Sequence, residues 1–248
     1  MRLGLWDILL LAGVSIQATA IAYIYHPKWK ALLYSVPIPF TLATLSLGTG
    51  IGVTNVTGLL LLLGYGHGVR LLHQRLGVSI VLSIVAAAVS YCGAATALVS
   101  VLPQTETAFW AACAIAMALG FVFFLAVPYR GEPGHRTPLP VWVKLPVVTL
   151  VVLSLIAMKQ MLQGFMTMFP MVGVVAAYEK RYSLWTFARQ VPVLMMSCVP
   201  LMAVSRLTQP HVGLAGSLLL GWVVYLGTLF GTTRWLWARS QAEGIPEG

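Results

Sequence analysis

Long apolar segments separated by short basic turns constrain this chain more than any other feature. Walking those segments as alternating crossings of a bilayer sorts twelve of the 15 Lys and Arg residues onto one face. They are Lys28 and Lys30, Arg70 and Arg75, Arg130, Arg136 and Lys144, then Lys180, Arg181 and Arg189, and finally Arg234 and Arg239. Arg2, Lys159 and Arg206 are the exceptions. Cytoplasmic loops retain Lys and Arg while translocated loops lose them. The pattern therefore predicts a multi-pass protein of a bacterial-type inner (plasma) membrane, with the N-terminus outside and the C-terminus cytoplasmic.

Composition excludes a soluble domain. Only 8% of residues are charged and 59% are hydrophobic, whereas about a quarter of a soluble domain is charged. The net charge of +9 lies in short loops without a contiguous basic run. That excludes nucleic acid as a partner and points to the anionic headgroups of a lipid bilayer. Cys92, Cys113 and Cys198 are odd in number, far apart and each inside an apolar stretch, so they read as small buried hydrophobes. The first apolar run, Leu3 to Tyr25, has no small-residue cleavage site before His26 and reads as a span, not a signal peptide.

A helix needs about 20 residues to cross the hydrocarbon core. Spans are expected near 4–25, 31–48, 54–69, 77–102, 107–128, 144–162, 164–178, 189–205 and 211–233, nine in all. The expected fold is thus an all-α, polytopic transmembrane helical bundle. The longest cytoplasmic loop, with Gly131, Pro133, Gly134, Pro138 and Pro140, divides two halves. A shift of 113 or 114 residues pairs Gly50 with Gly164, Tyr65 with Tyr178 and Arg75 with Arg189. This gives an extra N-terminal helix (1–26), a four-span repeat (27–128), a linker loop (129–143), a second four-span repeat (144–235) and a cytoplasmic tail (236–248). An even number of spans per copy makes the repeat a parallel one.

The second half carries Lys144, the stretch Ser154 to Lys159, Gly164 followed by Met168-Phe169-Pro170, Ala176-Ala177-Tyr178 and Arg189. In these motifs residues 144–230 resemble the GlpM-type small inner-membrane proteins, which have four spans and roughly one repeat length. The resemblance implies a tandem fusion of such units, and that family lends no established activity. The first half departs from the pattern: Gly52 to Thr57 replaces the Phe-Pro turn, and no Lys matches Lys159.

Two outer turns hold the candidate chemistry. Gly48 to Gly58 interleaves glycines with Thr49, Thr54, Asn55 and Thr57, so a regular helix is not expected there. Lys159 to Pro170 brings a charge, two amides and a proline. Interrupted segments at matching places in two repeats point to a transporter binding site. Lys159, Gln160, Gln163, Thr54, Asn55 and Thr57 are therefore expected to converge in the outer half of the membrane, with Lys159 neutralising an anionic group. The alternative is a tight outer turn with Lys159 snorkelling to the headgroups. His67, Arg70, His73 and Arg75 form a cationic inner loop suited to a phosphate-bearing headgroup, or are simply retained loop charges.

What the chain lacks also matters. Its six acidic residues, Asp7, Glu106, Glu132, Glu179, Glu243 and Glu247, form no cluster for magnesium and no relay across the membrane. No His or Cys spacing suits zinc. The methionines concentrated between Met158 and Met202 form no ladder on one face and read as gap-filling residues. No enzyme activity, cofactor or metal is expected. The leading expectation is a transporter or exporter of a small anionic or amphipathic, lipid-like solute. The rival is a non-catalytic accessory or scaffold subunit, since Gly64, Gly66, Gly68 and Ala86 to Ala88 would suit close contact with a membrane-protein partner or a second copy.

Single cysteines at Arg70, Arg136 and Lys180 should react with impermeant maleimide from the cytoplasmic side, and cysteines at Gln104 and Thr208 from the exterior. Labelling of a cysteine at Gln104 from the cytoplasm would overturn the span count.

Overall fold

The computed structural model describes residues 4–128, 132, 140–179 and 181–242, and every regular element among them is helical. Arg2, Arg130, Arg136, Lys180, most of the expected linker and the end of the tail lie outside the described residues. In chain order the elements are α1 (Leu5–Tyr23), α2 (Pro27–Tyr34), α3 (Ile38–Leu47), α4 (Val53–Arg70), a π-helical turn (Leu71–Arg75), α5 (Ile80–Val101) and α6 (Glu106–Ala126). Then follow α7 (Val141–Ala157), α8 (Lys159–Leu162), α9 (Phe165–Met168), α10 (Met171–Glu179) and α11 (Leu184–Ala242). Five stretches are long and apolar enough to cross a membrane: Leu5–Tyr23, Lys28–Leu47, Ile80–Val101, Glu106–Ala126 and Leu184–Arg239.

Local chemistry explains most helix ends. Pro27 opens α2, where its missing N–H costs nothing. Ser79 and Thr105 accept hydrogen bonds from Leu82 N and Ala108 N and so cap α5 and α6. Asn55 Oδ1 accepts from Gly52 N at 2.8 Å and so satisfies the backbone N–H at the N-cap of α4. The expectation that Gly48 to Gly58 resists a helix is therefore corrected: only Gly48 to Gly52 form the turn, and Gly58 lies within α4. α11 is broken at Gly213, whose φ of 71° suits glycine.

The expected span 31–48 is not continuous. It stops at Tyr34 and restarts at Ile38, because Pro37 and Pro39 lack the N–H groups that the ladder needs. The expected span 164–178 is likewise split, between Met168 and Met171, at Phe169-Pro170.

Large apolar side chains lie outside and polar ones inside. Leu5, Ile16, Val89, Leu150, Leu219, Val223 and Phe230 are exposed, whereas Asp7, Gln17, Lys30, Asn55, Glu179, Arg189 and Gln190 are buried. A bundle facing lipid has that arrangement. α4 runs through the middle, packed on α5, α6, α9 and α11, and α1 packs on α3, α7 and α10. One apolar core joins both halves, from Leu10 and Val14 through Phe40, Val56 and Leu59 to Phe165, Phe187 and Met195. The expected linker is a boundary in sequence, not in packing.

The tightest crossing is that of α4 with the turn before α9. A Cβ on Gly164 would lie 2.2 Å from Thr54 Oγ1 and 2.9 Å from Asn55 Oδ1. Gly164→Ala should therefore destabilise the protein by about 1–3 kcal/mol through overpacking. Gly64→Ala, where a Cβ meets nothing within 4 Å, should be neutral or stabilising by up to about 1 kcal/mol. Thermal unfolding in one detergent compares the two.

Candidate functional site

Two kinds of polar structure organise the interior: ion pairs at one end of the bundle, and hydrogen bonds that mend the broken helices. At the first end, Lys159 Nζ, at the start of α8, bonds both carboxylate oxygens of Asp7 in α1, at 2.9 and 3.0 Å. The Ser46 hydroxyl of α3 also donates to Asp7, and Gly4 N donates at 3.0 Å. The Asp7 side chain is 4% exposed and that of Lys159 21%. Close by, Arg206 pairs with Glu106 at 2.7 Å and donates to Ile51 O at 2.6 Å. Ile51 N donates to Gln209 Oε1 at 3.4 Å. The Arg206 and Gln209 contacts link the turns before α4 and α6 to the middle of α11, and the Asp7 contacts tie α8 to α1 and α3.

The expected convergence around Lys159 is only partly realised. Asn55 donates to Gly164 O at 3.4 Å and to Thr167 Oγ1 at 3.1 Å, and Thr54 lies against Gly164. The two interrupted segments thus meet, but in dry contact. Lys159 does not join them, because Asp7 takes its charge, and the expectation of an unmatched cation is corrected. Gln160 and Gln163 are exposed, and Thr57 is half-buried. Gln163 is strained, with φ 47° in a region that favours glycine.

The second set of contacts lies deeper. At the α2–α3 break, Gln17 Nε2 donates to Leu33 O and Val36 O at 2.8 and 2.9 Å. The Tyr225 hydroxyl donates to Ser35 O, and Gln190 Nε2 donates to Ser35 Oγ at 2.7 Å. Before the α9–α10 break, the Tyr91 hydroxyl donates to Phe165 O at 2.9 Å while its ring sits edge-on to Phe169, with centroids 5.2 Å apart. Between the breaks lies a cavity of about 50 Å³, walled by Tyr34, Pro37 and Phe40 on one side and by Thr167, Phe169 and Pro170 on the other. Leu194 and Cys198 of α11 close it.

These cavity residues were missed in the sequence. The signal was present in Pro37 and Pro39, but they sit inside an apolar run of spanning length. The two proline breaks are also not repeat-equivalent. The shift that pairs the halves sets Pro37 opposite Leu150 or Val151, inside unbroken α7.

At the other end the expected headgroup cluster is divided. The His67 ring packs on Phe123 with centroids 5.3 Å apart, and Arg70 stacks over Trp185 at 4.3 Å. His73 Nδ1 lies 2.8 Å from Val78 O, and Arg75 is exposed. Glu132 accepts from Trp185 N and Thr186 N, capping the start of α11. Lys30, Glu179 and Arg189, expected among the loop charges, are each at most 4% exposed. Among the described residues no group of three or more His, Cys, Asp or Glu could hold a metal ion.

Comparison with known proteins returns no match to any family model, curated protein or solved structure.

Lys159→Met alone should leave the Asp7 carboxylate buried and uncompensated, at a cost of about 3 kcal/mol, the lower end of the range for a broken buried pair. Asp7→Asn combined with Lys159→Met should recover most of that loss. A double-mutant cycle on thermal stability measures the coupling.

Proposed function

We propose that this chain is a multi-pass membrane transporter of a small amphipathic solute, held here in a closed state. The observation that carries the reading is that two proline-broken helical segments, one from each half, face each other across one buried cavity. Broken backbone inside a membrane is tolerated where protein or a cavity satisfies it, and discontinuous helices are a common way to build a transport site. The proposed setting is a nine-span bundle in a bacterial-type inner membrane, with the Asp7–Lys159 end outside and the Arg70–Trp185 end cytoplasmic. Support comes from the apolar exterior, the polar interior and the sorting of basic residues.

The cavity volume limits the state. Holding one water takes about 10–15 Å³ of such space, so about 50 Å³ admits a few waters and no organic solute. Passage requires the segments to separate. The ion pairs among the outer turns oppose that separation and act as the outer latch. Lys159 is paired to Asp7 and no cationic side chain among the described residues lines the cavity, so the solute's apolar body provides more of its recognition than a negative charge does.

A second reading, a non-catalytic accessory subunit, draws on the dry contact of Gly164 with Thr54 and Asn55. The two differ in whether the core opens. In a Cys92→Ala, Cys113→Ala background, the remaining Cys198 is fully buried and lines the cavity. A transporter should admit an impermeant maleimide to Cys198 in sealed vesicles, faster when Asp7→Asn and Lys159→Met remove the latch. No reaction in either protein would favour the accessory subunit.

A further inference from the structure

A second hollow lies at the surface between α4 and α5, away from the proline breaks. It encloses about 330 Å³ between Leu60, Gly64, Gly68 and Leu72 on one side and Ala87 and Ala94 on the other. The glycines that suggested close helix contact do something else here. A Cβ on Gly64 or Gly68 meets no atom within 4 Å, and only Gly66 packs, against Val191 and Phe187 of α11. The missing side chains therefore open a groove. At 1.5 Å per residue, the distance from Leu72 to Leu60 is about 18 Å, close to the depth of one leaflet, about half of a ~30 Å core.

The ends and the polar content of the groove indicate an occupant. Leu72 belongs to the π turn, and Arg75 closes that turn with its side chain exposed. His73 is fixed beside it through Val78 O. Ser90 also lines the groove. Ser83, Thr96 and Ser100 of the same helix return their hydroxyls to backbone carbonyls. For Ser90 no such bond is seen among the described residues. A polar group partway along an apolar groove, with Arg75 in the turn that forms one end, matches a molecule with an acyl chain, an ester and an anionic head.

We propose that the α4–α5 groove binds one anionic glycerophospholipid, with an acyl chain along Gly64 and Gly68 and the phosphate at Arg75 and His73. The groove competes well for such a lipid because the chain fills a furrow that bulk lipid packs poorly, while the head gains the turn's charge. This rests on the membrane reading and not on transport.

The test uses the full-length protein in nanodiscs containing phosphatidylglycerol or phosphatidylcholine bearing an acyl-chain diazirine, with labelled peptides identified by mass spectrometry. Phosphatidylglycerol should label residues 60–72 and 87–94. Gly64→Leu with Gly68→Leu, which grows into open space and leaves the core intact, should remove that label. Arg75→Gln should lower the preference for phosphatidylglycerol over phosphatidylcholine by roughly fivefold, the worth of one surface cation. Unchanged labelling of the filled variant, or equal labelling by the two lipids in the unsubstituted protein, overturns the proposal. Cys198 reactivity is unaffected in either case, so this result and the transport result can fail separately.

Discussion

The backbone at the two proline breaks is the constraint on which the rest of this bundle depends. A chain that leaves the helix inside an apolar medium strands carbonyl and amide groups, each costing several kcal/mol if unmet. Here other helices meet them. Gln17 of α1 and Tyr225 of α11 converge on the carbonyls from Leu33 to Val36, while Asn55 of α4 and Tyr91 of α5 reach those of Gly164 and Phe165. The breaks therefore influence how α1, α4, α5 and α11 sit, because displacing any of them loses a hydrogen bond between distant segments. Gln190, bonded to the Ser35 hydroxyl, adds a further tie from α11.

The ion pairs at one end do related work over longer chain separations. Asp7 and Lys159 join the first helix to the second half, so the N-terminal helix is a structural member of the bundle and not an appendage beside two repeats. Arg206 joins α11 to Glu106 and to Ile51 in the turn before α4. A carboxylate as buried as Asp7 requires such a partner, and the Ser46 hydroxyl and Gly4 amide complete its shell. Together these contacts tie one end of the bundle, while Arg70, Trp185 and Glu132 organise the other.

The central cavity and the α4–α5 groove have different characters. The cavity between the breaks is small and walled by prolines and aromatics, and it gains a role only if the segments move. The α4–α5 groove is larger, because Gly64 and Gly68 place no side chain in it. A lipid seated there would touch Tyr91, whose hydroxyl mends the backbone before the α9–α10 break. Tyr91 thus lines the groove and packs on Phe169, which walls the central cavity.

The helices themselves were legible in the residues. Apolar runs of spanning length, Ser79 and Thr105 before α5 and α6, and the break at Pro170 all act through neighbouring backbone, and short-range chemistry is written locally. The separation of basic turns from apolar segments was equally plain. The sequence grouped Thr54 and Asn55 with Lys159, Gln160 and Gln163, whereas in the structure they lie against the Gly164 turn. Only the tertiary structure decided which polar groups found one another. Asp7 and Lys159 are 152 positions apart, and nothing near either indicates that α1 packs beside α8. Pro37 was visible, yet its surroundings were apolar enough to pass for a continuous span until Gln17 was seen bonding the Leu33 and Val36 carbonyls. Gly64, Gly66 and Gly68 form one stripe in sequence, but two of them face a groove and one a helix. Burial and partnership depend on packing between distant segments, and the sequence records those segments without recording their contact.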